Sequence, residues 1–460
     1  MGLNTGQQAA FDDFSEFAEN PESTLFALFG PAGTGKSFTS GRMLDVIRPK
    51  IKRKVPAVGG GTREIVVKSV DEMLWLAPTW KAVRIAGRFL EQNGLTDYEI
   101  GFDAYHHKLG NLVLTTTQQA LGLRPVIDDE QTAETVSFAR VGKGLIGRLR
   151  PKWIVIDEVS MLSWQHLKDL SKACKEVGTK ILILGDPNQL PPVKAQEIKW
   201  DAIVNRRELS EIMRQSGESA IPHFGRAVLD GDDWSNMTGA GLTRSTRAVS
   251  QFIEEVERPS LNEEDWTVFI GYRNTTVDRV QEAAAQRVYG HSATEFAPGE
   301  VVIAQSAFHN QSGMVIANQD QLEILSIDGF GEWGQLVKVR NLAGRTVYVE
   351  YLSGADMVDP RNPYRVELSQ RLKTAQALQE EWRGRKGDEA LNNSRKAAWA
   401  SFFDLKDRTV LNFAHPFAIT SHKSQGSSYH RAFIAAQELA QFSDRSLYVA
   451  ATRPKTELVY

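Results

Sequence analysis

At 460 residues, 42% hydrophobic and 24% charged, the chain has the composition of a globular protein and the length for roughly two to four domains. A formal net charge of −3 excludes a uniformly basic coat, so any nucleic-acid surface has to be a local groove of Lys and Arg. No apolar run approaches the roughly 20 residues that span a bilayer, and the first residues, Met1 to Asp13, are polar and acidic, so a cytoplasmic protein with no membrane partner is expected. The single cysteine, Cys174, has no partner for a disulfide or a metal cluster and suits a reducing compartment as structural filler.

Taken in chain order, Leu3 to Phe11 reads as the start of a helix, with Asn4 or Thr5 as its cap and Ala10, Phe11 and Phe14 opening an apolar face. Gln7 has two readings: part of a capped helix, or an amide placed on an adenine edge ahead of a phosphate loop. The phosphate loop is Gly30-Pro31-Ala32-Gly33-Thr34-Gly35-Lys36-Ser37. Its glycines let backbone N–H groups turn inward around phosphates, Lys36 reaches the β/γ-phosphates and Ser37 holds Mg²⁺. The apolar run from Thr24 to Phe29 predicts a strand entering the loop, and Ser37 to Ile47 a helix leaving it.

Arg48 to Gly61 carries five basic residues, two prolines and a closing run of three glycines, which predicts an exposed loop. It is either a solvated face or a contact to nucleic-acid phosphates. Met73 to Ala77 then reads as a strand running into Pro78-Thr79-Trp80-Lys81 and a helix from about Lys81 to Glu91. A hydroxyl and a lysine at the C-terminal end of a strand are where open α/β sheets present ligands. Asn111 to Val136, rich in Thr, Gln and Gly, predicts a hairpin inserted between two strands of the main sheet.

Trp153 to Ile156 is a buried strand ending in Asp157 and Glu158. Asp157 belongs near Mg²⁺, and Glu158 can polarise the attacking water. Desolvating two like charges requires a nearby cation. A third strand, Lys180 to Leu184, delivers Gly185-Asp186-Pro187-Asn188-Gln189, which suggests a γ-phosphate sensor at Gln189. Leu209 to Gln215 places Arg214 on a loop or short helix. Val268 to Tyr272 and Thr276 to Tyr289 open a second α/β unit, Gly299 to Tyr351 has the pattern of a small β-barrel, and residues 365 to 404 read as charged helix. The chain returns to α/β through Thr420-Ser421-His422-Lys423-Ser424-Gln425-Gly426, a strand at Arg431 to Ala435, and a helix carrying Tyr448-Val449-Ala450-Ala451-Thr452-Arg453.

This ordered set resembles a superfamily 1B DNA helicase of the 5′-to-3′, RecD-like branch, with Dda-type proteins of phages the nearest in motif order. The resemblance covers essentially the whole chain. It implies two RecA-like parallel-sheet motor domains, 1–101 with 139–205 and 206–295 with 412–460, an inserted pin hairpin at 102–138, and an inserted SH3-like β-barrel with a helical segment at 296–411. Gln7 then reads adenine, Gly30, Gly33, Thr34, Gly35, Lys36 and Ser37 bind ATP, and Ser37 and Asp157 bind Mg²⁺. The catalytic set is Lys36, Glu158, Gln189, Arg214 and Arg453, the two arginines acting as fingers on the γ-phosphate. Thr79, Lys81, His106, Thr420, His422 and Lys423 contact the DNA backbone.

The resemblance further implies a monomer acting on single-stranded and forked duplex DNA in phage replication or recombination, with single-strand-binding or replisome proteins as candidate partners. Two departures stand out: the expected pin has no aromatic between Asn111 and Val136, and Ala104 occupies a position where a hydroxyl is usual. A clamp or protein-displacing translocase that does not separate strands, and an RNA-directed helicase, are the alternative readings.

Overall fold

The computed structural model describes residues 2–47, 50–56, 62–68, 73–92, 99–100, 112–126, 137–140, 144–192, 195–211, 219–310, 313–352, 356, 359–408 and 411–460. The chain divides into two units, 1–240 with 443–452, and 241–442 with 453–460.

The first unit is built on a seven-stranded, wholly parallel sheet. Its spatial order is Arg206–Glu208, Leu25–Phe29, Lys180–Gly185, Trp153–Ile156, Met73–Ala77, Leu112–Thr116 and Glu99–Ile100. The central strands are near-continuous apolar runs because both faces are covered. Phe26, Leu28 and Trp75 point to one face, among Phe14, Phe17, Met43 and Val83 of the helices Thr5–Glu19, Lys36–Ile47 and Trp80–Gln92. Ala27, Phe29, Leu74 and Leu76 point to the other, against Leu167, Leu170 and Cys174 of Trp164–Val177. This is the period-2 alternation of a pleated strand expressed as two cores. Cys174 is buried and its thiol is pushed up to about 12 by burial, in keeping with structural filler.

Two segments differ from the sequence expectation. Within Arg48 to Gly61, expected as a loop, Lys50–Pro56 is a strand paired antiparallel with Thr62–Lys68, because Ile51 and Val55 alternate with basic residues opposite the β-branched run of the second strand. Leu112–Thr116, expected in the inserted hairpin, instead pairs in parallel with Met73–Ala77 and joins the main sheet. A short helix, Thr117–Leu121, separates it from a smaller hairpin of Leu123–Val126 with Ser137–Arg140. Residues 206–240 and 443–452, placed by the sequence in the second motor domain, group with the first unit: Arg206–Glu208 extends its sheet, and the helix Asp444–Ala451 packs on Ile221–Asp230.

The second unit carries a five-stranded parallel sheet ordered Leu242–Thr243, Pro454–Val459, Tyr429–Ile434, Thr267–Gly271 and Ala418–Thr420. Phe252, Phe269, Phe417 and Phe433 fill its core. Between the second and third of its strands in sequence, Thr267–Gly271 and Ala418–Thr420, lies a five-stranded antiparallel sheet of Val301–Ala304, Gln321–Phe330, Gln335–Asn341, Thr346–Tyr351 and Phe413–Ala414. The charged segment forms two packed helices, Pro363–Gly384 and Glu389–Arg408. Their aromatics serve packing: Phe402 is buried beside Trp399 and Phe403, and Arg395 lies over the Trp382 ring.

Candidate active site

In the first unit, four adjacent parallel strands end at one edge of the sheet and deliver Gly30, Asp186, Asp157 and Pro78. Ligands of open α/β sheets bind at that carboxyl edge. The phosphate loop turns there. Gly30 has φ 155°, and a Cβ on it would lie 2.2 Å from the Leu209 carbonyl oxygen, so only glycine fits. Gly33 and Gly35 adopt φ 86° and 79°, in the left-handed region. Lys36 Nζ donates to the carbonyls of Gly30 at 2.6 Å and Pro31 at 2.9 Å, and Thr34 Oγ1 to that of Pro31 at 2.9 Å. The helix Lys36–Ile47 starts directly from the loop, and a helix N-terminus of this kind favours an anion.

Gln7 makes the helix-capping contact the sequence offered and adds a tertiary bond it did not. It is the fourth residue of a capping box, exchanging hydrogen bonds with Asn4, and its buried Nε2 donates to the Thr34 carbonyl at 3.2 Å. The amide therefore ties the first helix to the phosphate loop.

At the acid pair, burial and then the charge of Glu158 raise Asp157 to about 7, opposed by the Glu158 N–H, which donates to Asp157 Oδ1 at 2.8 Å, and by the nearby Lys36 ammonium. Glu158 sits in the left-handed region at φ 50° and starts the turn Val159–Met161. A non-glycine residue held there is a strained position of the kind that clusters at functional sites. A dication beside Asp157 would offset the two negative charges. Carboxylate and hydroxyl oxygens, as at Asp157 and Ser37, are the ligands Mg²⁺ takes alongside phosphate oxygens and water, so the residues present fit Mg²⁺–ATP.

The Gly185–Gln189 turn is organised by Asp186, which is fully buried. Its Oδ1 accepts from Asn188 N–H at 2.9 Å, its carbonyl from Gln189 N–H at 3.1 Å, and its Oδ2 from the Tyr448 hydroxyl at 2.8 Å. Gln189 is buried, and its Oε1 has no hydrogen-bond partner among the described residues. A buried amide oxygen without a partner is costly unless a ligand or water serves it. The sequence pointed to Gln189 but not to Asp186 or Tyr448. The signal was an acid one residue past a buried strand and a tyrosine in the helix preceding Arg453.

Thr79 Oγ1 accepts from Ala82 N–H at 3.2 Å and caps Trp80–Gln92, which places Thr79 and Lys81 at the same sheet edge. Arg214 and His106 lie outside the described residues. In the second unit, Thr420 ends its strand and caps the short helix Ser421–Ser424, which carries His422 and Lys423. Burial lowers the His422 pKa, keeping the ring neutral, and the ring packs edge-on to Tyr272. Lys423 is exposed, and its Nζ reaches Gln305 Oε1 at 3.4 Å. Arg453 is buried and donates to the Ser427 carbonyl at 3.3 Å.

A phosphate loop, an acid pair and a polar turn on neighbouring parallel strands define a phosphate-loop nucleotide-binding fold of the RecA-like kind. The chain belongs to the AAA domain family, whose model matches residues 2–247, and residues 415–459 match the UvrD-like helicase C-terminal domain. It is thus a helicase-type ATP-binding protein. Among solved structures it is similar to Pif1 helicase from Candida albicans, at 14% identity and TM-score 0.50 over 100% of this chain and 94% of that one. It is equally similar to a Pif1 structure described as the structural basis for DNA unwinding at forked duplex DNA by two coordinating Pif1 helicases, with 14% identity, TM-score 0.50, and coverage of 100% and 92%. These likenesses show the fold. A curated relative, uncharacterized protein R530 of Acanthamoeba polyphaga mimivirus, is 27% identical over 218 residues, 46% of this chain and 39% of that protein's length.

Proposed function

We propose that the protein is an ATP-dependent DNA helicase that moves 5′ to 3′ along single-stranded DNA and opens forked duplexes. The observation that carries this reading is the convergence of the phosphate loop, the Asp186–Gln189 turn and the Asp157–Glu158 pair on one edge of a parallel sheet. It is supported by the helicase C-terminal match at residues 415–459. The 5′-to-3′ direction and the nearness to Dda-type proteins rest on the ordered motifs, as does a role in phage replication or recombination.

In this reading Lys36 and the loop amides hold the phosphates, and Ser37 and Asp157 hold Mg²⁺, which supplies charge neutralisation when bound. Glu158 takes the proton of the attacking water, and the Gln189 amide meets the γ-phosphate. Arg214 and Arg453 stabilise the negative charge that develops on it. Hydrolysis removes those contacts, and the change in contacts drives translocation. Thr79, Lys81, His106, Thr420, His422 and Lys423 hold the strand through its sugar-phosphate backbone, which carries no sequence information. The lowered pKa of His422 makes it a neutral hydrogen-bonding and packing group there, leaving charge to the lysines.

The test is unwinding of a forked DNA duplex by the wild type and by Glu158→Gln. The wild type is expected to separate strands with ATP, and the variant to bind the fork and not open it. Substantial unwinding by Glu158→Gln would overturn the assignment of roles, and DNA-stimulated hydrolysis without strand separation would favour a translocating clamp.

A further inference from the structure

The helix Asp444–Ala451 belongs to the first unit although the chain on either side of 443–452 belongs to the second. Its Tyr448 is buried, and one ring edge rests on the backbone of Gly225, where an added Cβ would lie 3.5 Å from the ring. The hydroxyl joins two pieces of the nucleotide site. It accepts from the Ala32 N–H of the phosphate loop at 3.0 Å and donates to Asp186 Oδ2 at 2.8 Å. The backbone amide can only donate, so the hydroxyl oxygen accepts from Ala32 and its proton goes to Asp186 Oδ2. The phenol proton is therefore committed to Asp186, and the oxygen lone pair to Ala32. Such a chain, N–H to O–H to carboxylate, polarises each of its members.

Both ends of this chain lead to nucleotide-facing groups. Ala32 lies inside the loop whose Lys36 and amides face phosphate. Asp186 sets the turn of Gln189 through its carbonyl and through Asn188, and Gln189 presents the buried Oε1 that lacks a partner among the described residues. A second bond, Gly30 N–H to the Gly185 carbonyl at 3.2 Å, ties loop and turn at their bases.

We propose that Tyr448 is a positioning residue of the ATPase: its hydroxyl holds the phosphate loop and the Gln189 turn in one register, so that the γ-phosphate meets both together. The inference rests on ATP being hydrolysed at this loop. The hydroxyl touches no reacting atom, so it acts on the rate of hydrolysis through Gln189, with ATP itself still held by Lys36 and the loop amides.

Steady-state ATPase kinetics with saturating single-stranded DNA on Tyr448→Phe, Gln189→Ala and the double variant test it. Tyr448→Phe removes one oxygen and keeps the ring on Gly225. Its kcat is expected to fall roughly tenfold, with KM for ATP within about threefold of wild type. Adding Gln189→Ala to Tyr448→Phe is expected to lower kcat by far less than Gln189→Ala does alone, since the two act as one unit. An unchanged kcat in Tyr448→Phe, or full multiplication of the two single effects, would overturn the proposal. A merely destabilising change would lower the melting temperature while leaving kcat per active site, counted by nucleotide titration, unchanged, and that result would overturn it too. Should Tyr448→Phe not fold, Asp186→Asn carries the same test: it replaces the carboxyl group that accepts the phenol proton with an amide, and a kcat equal to wild type would count against the proposal. Hydrolysis without strand separation would bear on the helicase reading alone, because the variant ratios are read from ATPase.

Discussion

Lys36 Nζ and the Gly30 carbonyl oxygen stand 2.6 Å apart, so the lysine is folded back over the loop that carries it. An ammonium so placed is already aimed into the concavity of the loop, and its charge partly opposes the rise of the Asp157 pKa that burial and Glu158 cause. Lys36→Ala is predicted to lower ATPase kcat/KM at least about a hundredfold, the scale of losing one strong electrostatic contact to the reacting phosphate. Lys36→Arg should not restore it, since a planar guanidinium cannot take the place of a compact ammonium. Steady-state ATPase assays with a thermal melt of each variant check this; wild-type kinetics in Lys36→Ala would contradict the assignment of the loop.

Gly30 and Gly178 separate two reasons for glycine. Both have positive φ, but a Cβ at Gly30 meets the Leu209 carbonyl at 2.2 Å, whereas nothing lies within 4 Å of one at Gly178. Gly178→Ala is expected to cost about 1 kcal/mol, from backbone conformation alone. Gly30→Ala is expected to cost about 3 kcal/mol, because a strained backbone and a clash with main chain add. Urea unfolding of the two variants compares them directly, and equal costs would show that the close approach of Leu209 does not matter.

In the second unit, Glu300 is buried between two imidazoles, His291 Nε2 at 2.6 Å and His415 Nε2 at 3.1 Å, at the base of the strand Val301–Ala304. Burial works against the charge of Glu300, but the hydrogen bonds from His415 and His291 hold its pKa below the ordinary 4.5. Burial likewise works against the His291 cation, and the Ser292 carbonyl and Glu300 outweigh it, raising His291 above 6.5. The Glu300 contribution is complete above its unfolded value and is lost as pH falls through its folded one. That of His291 is complete below its unfolded value and is lost as pH rises through its folded one. Glu300→Gln is therefore predicted to cost most, about 3 kcal/mol, in the window between these ordinary values, 4.5 and 6.5. Denaturation of both proteins at pH 5.5 and pH 8.5 measures it; a cost that grows toward pH 8.5 would contradict the pairing.

The sequence reached the strands Leu25–Phe29, Met73–Ala77, Trp153–Ile156 and Lys180–Gly185 because each is a short apolar run ending in glycine, proline or an acid. That also located the loop, the acid pair and the Gln189 turn. Leu112–Thr116 escaped because its Thr-rich end reads equally as a hairpin arm; only pairing with Met73–Ala77, distant in sequence, settles it. The same limit hid Tyr448. Its partners Asp186 and Ala32 lie 262 and 416 residues away, and no local pattern reports such a contact. Gln7 was half legible: the capping box is local, and the bond to Thr34 is not.

Unwinding of duplexes that carry only a 5′ or only a 3′ single-stranded tail, with ATP and Mg²⁺, tests whether the protein is a DNA motor with 5′-to-3′ polarity. Strand separation is expected from the 5′-tailed substrate and none from the 3′-tailed one. Separation from the 3′ tail alone, or from neither with ATP hydrolysis intact, would contradict it.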